Sequence, residues 1–444
     1  MKTFVKAAVA LALTLVVAAG FSSAAFAQGK QPSYTSGIQF ANLEGTQATI
    51  NLIAYKSDGS QGGSGTYTVD PNGSRTLFPL ADVQSGFSGS IVISSDKNGA
   101  AIANVLASDF SAGASYVGRS AGAQEVQLPL LNKGNSGFDT WFSVQNAGSA
   151  SANVTVKYSD NTEATATIPA GAAQTFFQAQ ENHSASVFAG TVTSDQNVVA
   201  AVIQESDTVM FAYTAFTGGT TNPVFPLVNA NNAGYISGLS IQNAGDTATS
   251  ITVSYTPSAA GTACTETQTV QPGAAGIFAL VAFNSNNSGA TTTCTAGERF
   301  IGSAQVTANS ANQPLVGIGN QLLPGRNGEA YGSFSTSDAT AKVVMPLIMD
   351  RNSGYFTGFN IANVGTAAAT VNCTFTNSSY TVSGSIPAGG ALTDIQSNKI
   401  ADKYVGAATC TATPNTSKIV AVVNQLGSNP AADQFLVYEA VNTQ

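Results

Sequence analysis

Gly118-Arg-Ser-Ala-Gly122 is the stretch of this chain that spells a serine nucleophile. A Gly-x-Ser-x-Gly serine works when a sharp strand-to-helix turn lifts its hydroxyl and a His close in space takes its proton. No helical pattern follows Gly122. The one His, His183, lies in the polar stretch Gln180-Glu-Asn-His-Ser184 and reads as a solvated loop residue. The match is therefore expected to be a coincidence of a Gly/Ser-rich chain. Glycoside hydrolysis needs two carboxylates flanking a cleft, but the 24 acidic residues are thinly spread and no strand offers two at alternate positions. Asp58-Gly and Asp160-Asn look like pieces of calcium loops. Asp-x-Asp-x-Asp-Gly is absent, though, and a hard cation wants about six to eight oxygens. Both aspartates read as hairpin-turn residues. The sequence predicts no catalytic residue, no cofactor and no metal.

The four cysteines, Cys264, Cys294, Cys373 and Cys410, lack the Cys-x-x-Cys spacing or nearby His of a metal site. Cys373 and Cys410 both fall on the inward beat of a strand, a placement that would bridge the two sheets of one sandwich as in immunoglobulin domains. Cys264 and Cys294 lie in insertions. Of three possible pairings, the expected one is Cys264–Cys294 with Cys373–Cys410. The best binding candidates are aromatics: Gly137-Phe138, Gly234-Tyr235 and Gly354-Tyr355, with the sole Trp, Trp141, beside the first. Trp141 falls on the outward beat of its strand. Outward aromatics stack on sugar faces or anchor a protein partner, so Trp141, Phe138, Tyr235 and Tyr355 are the ligand-binding candidates. The rival reading is that they cover the seams between consecutive domains.

These residues sit on elements that recur four times. The runs Ser36-Gly-Ile-Gln-Phe-Ala-Asn42, Trp141-Phe-Ser-Val-Gln-Asn146, Leu239-Ser-Ile-Gln-Asn243 and Phe359-Asn-Ile-Ala-Asn363 repeat at intervals near 100 residues, the size of one small all-β domain. Apolar residues alternate with polar ones before each Asn (Phe142, Val144) and after it (Val154, Val156, Tyr158), so each copy opens with a hairpin turning at Asn-Ala-Gly or its equivalent. A Pro/Gly turn follows (Ile168-Pro-Ala-Gly171, Ile386-Pro-Ala-Gly389), then an aromatic-x-Gly strand start (Phe188-Ala-Gly190) and an aromatic closing strand (Phe211-Ala-Tyr213). About seven short strands per copy, with turn signals between, are the mark of a sandwich. A Pro-Leu strand precedes three copies: Leu128-Pro-Leu-Leu131, Phe225-Pro-Leu-Val228 and Met345-Pro-Leu-Ile348. Repeat one has only Gln28-Gly-Lys-Gln-Pro-Ser33 there. One terminal sandwich is thus expected to present an open edge, where another chain can add a strand, unless the polar N-terminal segment pairs with it.

The predicted organisation is a signal peptide over 1–27 and β-sandwiches over 28–125, 126–222, 223–341 and 342–444, strung like beads. Lys2 and Lys6, the apolar run from Ala7 to Ala19 and Ala25-Phe26-Ala27 form the three parts of a secretory leader. That run is too short for a membrane span of about 20 apolar residues. Charged residues make up 9% of the chain, against about 25% in ordinary proteins, so Ser, Thr and Asn carry the surface. A net charge of −8 with 16 scattered basic residues excludes nucleic acid and anionic membranes as partners, because both need clustered Lys and Arg. The expected location is secreted, extracellular or at the cell surface, with the periplasm as the other exported compartment.

Together, Pro-Leu-apolar, Gly-aromatic, apolar-Gln-Asn-x-Gly and Ile-Pro-Ala-Gly resemble the tandem immunoglobulin-like or fibronectin-like sandwich repeats of secreted bacterial surface proteins. The resemblance spans the mature chain and implies an all-β fold and an exported location, with no catalytic residue carried over. Repeat one departs from it, with Asn42-Leu-Glu-Gly45 in the turn. The expected function is a non-enzymatic structural or adhesive protein of a surface layer, filament or matrix, whose partners are other protein chains through self-assembly. The alternative is a glycan-binding array using the outward aromatics.

Overall fold

The structure, a computed structural model, describes residues 11–18, 29–31, 33–280, 291–429 and 432–443. Lys2, Lys6 and the expected cleavage site Ala25-Phe26-Ala27 lie outside the described residues. Among the described residues there is no α-helix, and one 3-10 turn, Gln178–Gln180, interrupts the strands. The chain is all-β, built of several separate antiparallel sheets.

Repeat two shows the plan. A lead strand (Ala123–Asn132) runs into the first hairpin strand (Asp139–Asn146), the second (Ala152–Tyr158) and a return strand (Glu163–Ile168). A short strand (Ala173–Phe177), a 19-residue strand (Val187–Glu205) and a closing strand (Met210–Thr214) complete it. The long strand serves two sheets. Its first half pairs with the lead and second hairpin strands, its second half with the first hairpin and closing strands. The other repeats split it into two strands, as in Ser88–Ser95 and Gly99–Ala107. Alternate apolar residues fill the space between the sheets. Phe142, Val144, Val154, Val156 and Val202 are all buried, as period-two patterning requires when one face is covered.

The recurring Asn ties the two sheets together. Asn146 donates through Nδ2 to the carbonyls of Ala150 (2.7 Å) and Ile168 (2.8 Å), and its Oδ1 accepts from the Gly148 N–H (2.8 Å). Asn243 and Asn363 repeat all three bonds. Asn42 does the same with Thr46, Val69 and Glu44. One buried side chain thus satisfies a turn amide and the end of a strand in the facing sheet.

The four sandwiches do not hang as beads; they close into a ring. The closing strands Gly113–Val117, Met210–Thr214, Asn327–Gly332 and Phe435–Glu439 touch in the cyclic order one–two–three–four–one. Each is the edge strand of its sheet, so its outer N–H groups need partners at the centre. Buried acids supply them. Glu329 of repeat three accepts from Ala212 N–H of repeat two (2.7 Å) and Ser115 N–H of repeat one (3.0 Å). Asp433 of repeat four accepts from Met210 N–H (2.9 Å) and Gly328 N–H (3.1 Å), and its own N–H reaches Ser111 O of repeat one (2.7 Å). Glu439 takes the Gly332 N–H. Burial pushes all three carboxyls above the ordinary range, against the pull of those donors.

Both expected disulfides, Cys264–Cys294 and Cys373–Cys410, are present. The second does not bridge the two sheets. Cys373 and Cys410 are register partners on neighbouring strands of one sheet, Ala369–Phe375 and Tyr404–Thr413. Inward alternation fixes the face a side chain takes, and two inward residues on adjacent strands meet as readily as two across the core.

Candidate functional site: the seams between repeats

Ser120 stands exposed on a turn joining the closing strand of repeat one to the lead strand of repeat two, so no strand-to-helix elbow exists there. Burial lowers the pKa of the neighbouring Arg119, and Glu439 of repeat four acts the other way. The imidazole of His183 is covered instead of solvated: it stacks on Phe188 (ring centroids 3.9 Å apart), meets the Tyr158 ring edge-on, and its Nδ1 lies 3.1 Å from Asp160 Oδ2. It caps the end of a core. Burial holds its pKa below the ordinary value although Asp160 acts the other way. Asp58 and Asp160 are turn residues, accepting from Ser60 and Thr162 respectively.

The inter-repeat seams are built to a common plan. At the seam of repeats two and three, Leu130 and Gln204 of one repeat face Gly238, Asn320 and Leu322 of the next around a cleft of about 190 Å³. At the seam of three and four, Leu227, Gln321, Gly358, Asn424 and Leu426 repeat the set around about 290 Å³. Between four and one, Leu347, Gly37, Asn104 and Leu106 line about 160 Å³. There Gln425 is bonded to Asn104 and Ser115. The glycine, five residues ahead of each key Asn, opens each cleft because it brings no side chain.

Amide relays position the glutamines. Asn135 donates to Asn132, and Asn132 donates to Gln204 Oε1 (2.9 Å). Asn232, Asn229 and Gln321 form the same chain. Gln204 and Gln321 are 1% and 2% exposed, yet their Nε2 atoms have no protein partner, and neither do Asn320 Oδ1 and Asn424 Oδ1 on the facing wall. Each of these two clefts therefore offers one donor and one acceptor beside apolar walls. That suits a small neutral group such as a hydroxyl or amide attached to an apolar body.

The seam of repeats one and two breaks the plan at four of its positions. Trp141 replaces the glycine, Ile203 the Asn, Glu205 the Leu, and Val105 of repeat one the Gln. Trp141 is 6% exposed and donates through Nε1 to Glu205 Oε1 (3.0 Å). The Tyr34 hydroxyl donates to Glu205 Oε2 (2.6 Å), the Lys30 N–H to Oε1 (2.7 Å), and the Tyr34 and Trp141 rings meet edge to face. Burial raises the Glu205 carboxyl above its usual range.

Trp141, expected to point outward, is thus buried at this seam, because Tyr34 and Glu205 cover the face that strand alternation assigns to solvent. Phe138 and Tyr235 are partly buried walls of the second and third seams, packed on Phe211 (5.2 Å) and Phe435 (5.8 Å). Tyr355 is partly buried against the core of repeat four, and burial raises its pKa to about 12. Sequence reasoning missed Tyr34, the fourth member of this column, although it stands eight residues before Asn42 as the others stand before their own Asn. It also missed the Gly/Trp column and the buried acids.

Among the described residues, no helix is long and apolar enough to cross a membrane, and no group of three or more His, Cys, Asp or Glu is placed to hold a metal ion. No family model matches the chain, and no curated protein matches it in sequence.

Proposed function

We propose that this chain is a non-enzymatic secreted or cell-surface protein of structural or adhesive kind, whose four sandwiches work as one rigid ring. The observation that carries this reading is the closure of repeat four onto repeat one, through Asp433, Gln425 and the closing strands. Catalysis gains little from four copies of a scaffold, whereas display and spacing use a stiff repeated body directly. The sparsely charged Ser/Thr/Asn surface and two disulfides suit an oxidising exported compartment. Electron microscopy of the purified protein and of the native cell surface tests the reading. Ordered sheets, filaments or a labelled surface layer are expected; a monodisperse protein absent from the surface would refute it.

The second reading is a glycan-binding array, favoured by the unpartnered amides and the Phe138 and Tyr235 walls of two clefts. Glycan-array binding that is lost when both Gly238→Trp and Gly358→Trp fill those clefts, but kept in Trp141→Ala, would support it. No binding to any glycan would end it.

A further inference from the structure

Three lead strands hold one slot in their sandwiches. Ala123–Asn132, Pro223–Ala230 and Lys342–Asp350 each lie antiparallel on an outer-sheet strand: Val187–Glu205, Phe300–Ala308 and Tyr404–Thr413. Closing-strand tyrosines anchor them: the Tyr213, Tyr331 and Tyr438 hydroxyls donate to the carbonyls of Leu130, Leu227 and Leu347. The same strands reach into the following repeat, where Ser240 bonds Pro129 O (2.8 Å) and Asn360 bonds Pro226 O (3.0 Å).

Repeat one fills this slot with a different piece of chain. The described residues of the polar segment, 29–31 and 33, do not pair there as the alternative to an open edge had it: the Lys30 N–H and the Gln31 side chain bind Glu205 and Ser206 of repeat two. Leu11–Ala18 lies on Ser88–Ser95 instead, in continuous register from Leu11 opposite Ser95 to Ala18 opposite Ser88. It also contacts Gly99–Ala107 of its own repeat and Asp139–Asn146 and Val187–Glu205 of repeat two, as the other lead strands contact their neighbours. Beneath it lies an apolar core shared by two repeats, with Ile91, Ile93, Val105, Trp141 and Ile203.

We infer that Ser88–Ser95 and the seam beside it form a strand-acceptor groove for an extended, uncharged, apolar segment of another protein. This rests on the exported reading of the chain, because Leu11–Ala18 falls inside the leader and leaves the groove when residues 1–27 are removed. The occupant is specified by Leu11–Ala18, with the three lead strands as its structural counterparts: about eight residues, mostly Leu, Val and Ala, running antiparallel to Ser88–Ser95. Main-chain bonds to the bare edge give affinity, and the residues opposite Ile91 and Ile93 give selectivity. A second copy is a poor donor, since every lead strand of repeats two to four is already engaged in its own sandwich.

The test uses the chain beginning at Gln28 and a synthetic peptide, Leu-Ala-Leu-Thr-Leu-Val-Val-Ala, with two lysines added at its C-terminus for solubility. Saturating peptide should raise the melting temperature by about 2 °C or more and protect the amides of Ser88–Ser95 from hydrogen exchange. Placing Asp at the two peptide positions opposite Ile91 and Ile93 should weaken binding at least tenfold. If the shortened chain does not fold, the full chain with a protease site after Ala27 is folded first and then cut, and labelled peptide should exchange into the groove. No binding and no protection in either form overturns the inference. Concentration-dependent dimers with Ser88–Ser95 protected also overturn it, giving the groove to a second copy. Mass spectrometry of the protein recovered from its native source separates the two readings: retention of residues 11–18 would defeat the exported reading, whatever the peptide does.

Discussion

An asparagine that turns its amide nitrogen to two carbonyls and its oxygen to a turn N–H cannot be replaced by an isostere of either half. Asn146→Ala leaves buried groups unpaired and should cost about 1–3 kcal/mol. Asn146→Asp should cost more, because a carboxylate oxygen then faces Ala150 O and Ile168 O. Urea unfolding of the two variants ranks them, and a smaller loss for Asp would refute the clamp. The other telling residue pair is His183 with Asp160. Asp160 is held at about 2 by donors from Thr162, Ser184 and His183, so its contribution is complete above its ordinary 3.8 and disappears as pH falls toward 2. The lowered His183 pKa has the same sign: the fold favours the neutral ring, and stability falls as pH drops through about 6.5. His183→Gln should remove this loss, so that between pH 7 and 5.5 its melting temperature gains on the parent's as pH falls.

Strands were the most legible element, because two-residue alternation leaves little choice once one face is buried. Partnership was less legible. The inward beat of Cys373 and Cys410 predicted their bond but not that they are neighbours in one sheet, since alternation assigns a face without assigning a neighbour. The outward beat of Trp141 has the same limit, and the seam-covering reading describes where its ring lies. Its strand phase points outward, but outward here means toward the preceding repeat. What could have revealed the seam is a comparison of columns: Gly37, Trp141, Gly238 and Gly358 hold one position, and the single bulky member stands in the repeat that follows the one without a Pro-Leu strand. Trp141→Ala should therefore destabilise the molecule by about 3–5 kcal/mol, measured by denaturant unfolding, with the Glu205 carboxylate losing one donor. A cost under 1 kcal/mol would show that this seam carries little. Removing the Cys373–Cys410 bond in the double Ser variant should cost about 2–4 kcal/mol.

At the scale of the whole molecule, the contrast is between a ring and a string. Independent beads would melt in several steps, whereas a ring pinned by Glu329 and Asp433 should give one cooperative calorimetric transition. Resolved separate transitions would count against closure. The central acids also set a pH dependence. The carboxyls of Glu205, Glu329, Asp433 and Glu439 are raised, so the stability they contribute is complete below the ordinary carboxyl range and is lost as pH rises through their folded values. Melting temperature should climb as pH falls toward the ordinary carboxyl range, opposed only in part by His183, and Glu329→Gln should reduce that slope. Ring closure itself was not readable from the chain, because seam and core strands show the same alternation. Of the three clefts, the two with unpaired amides then stand at a fixed separation in one stiff body. A polymer or surface that repeats the right small group could engage more than one at a time, and weak grips held in register multiply into avidity about 10² to 10⁴ times that of one cleft.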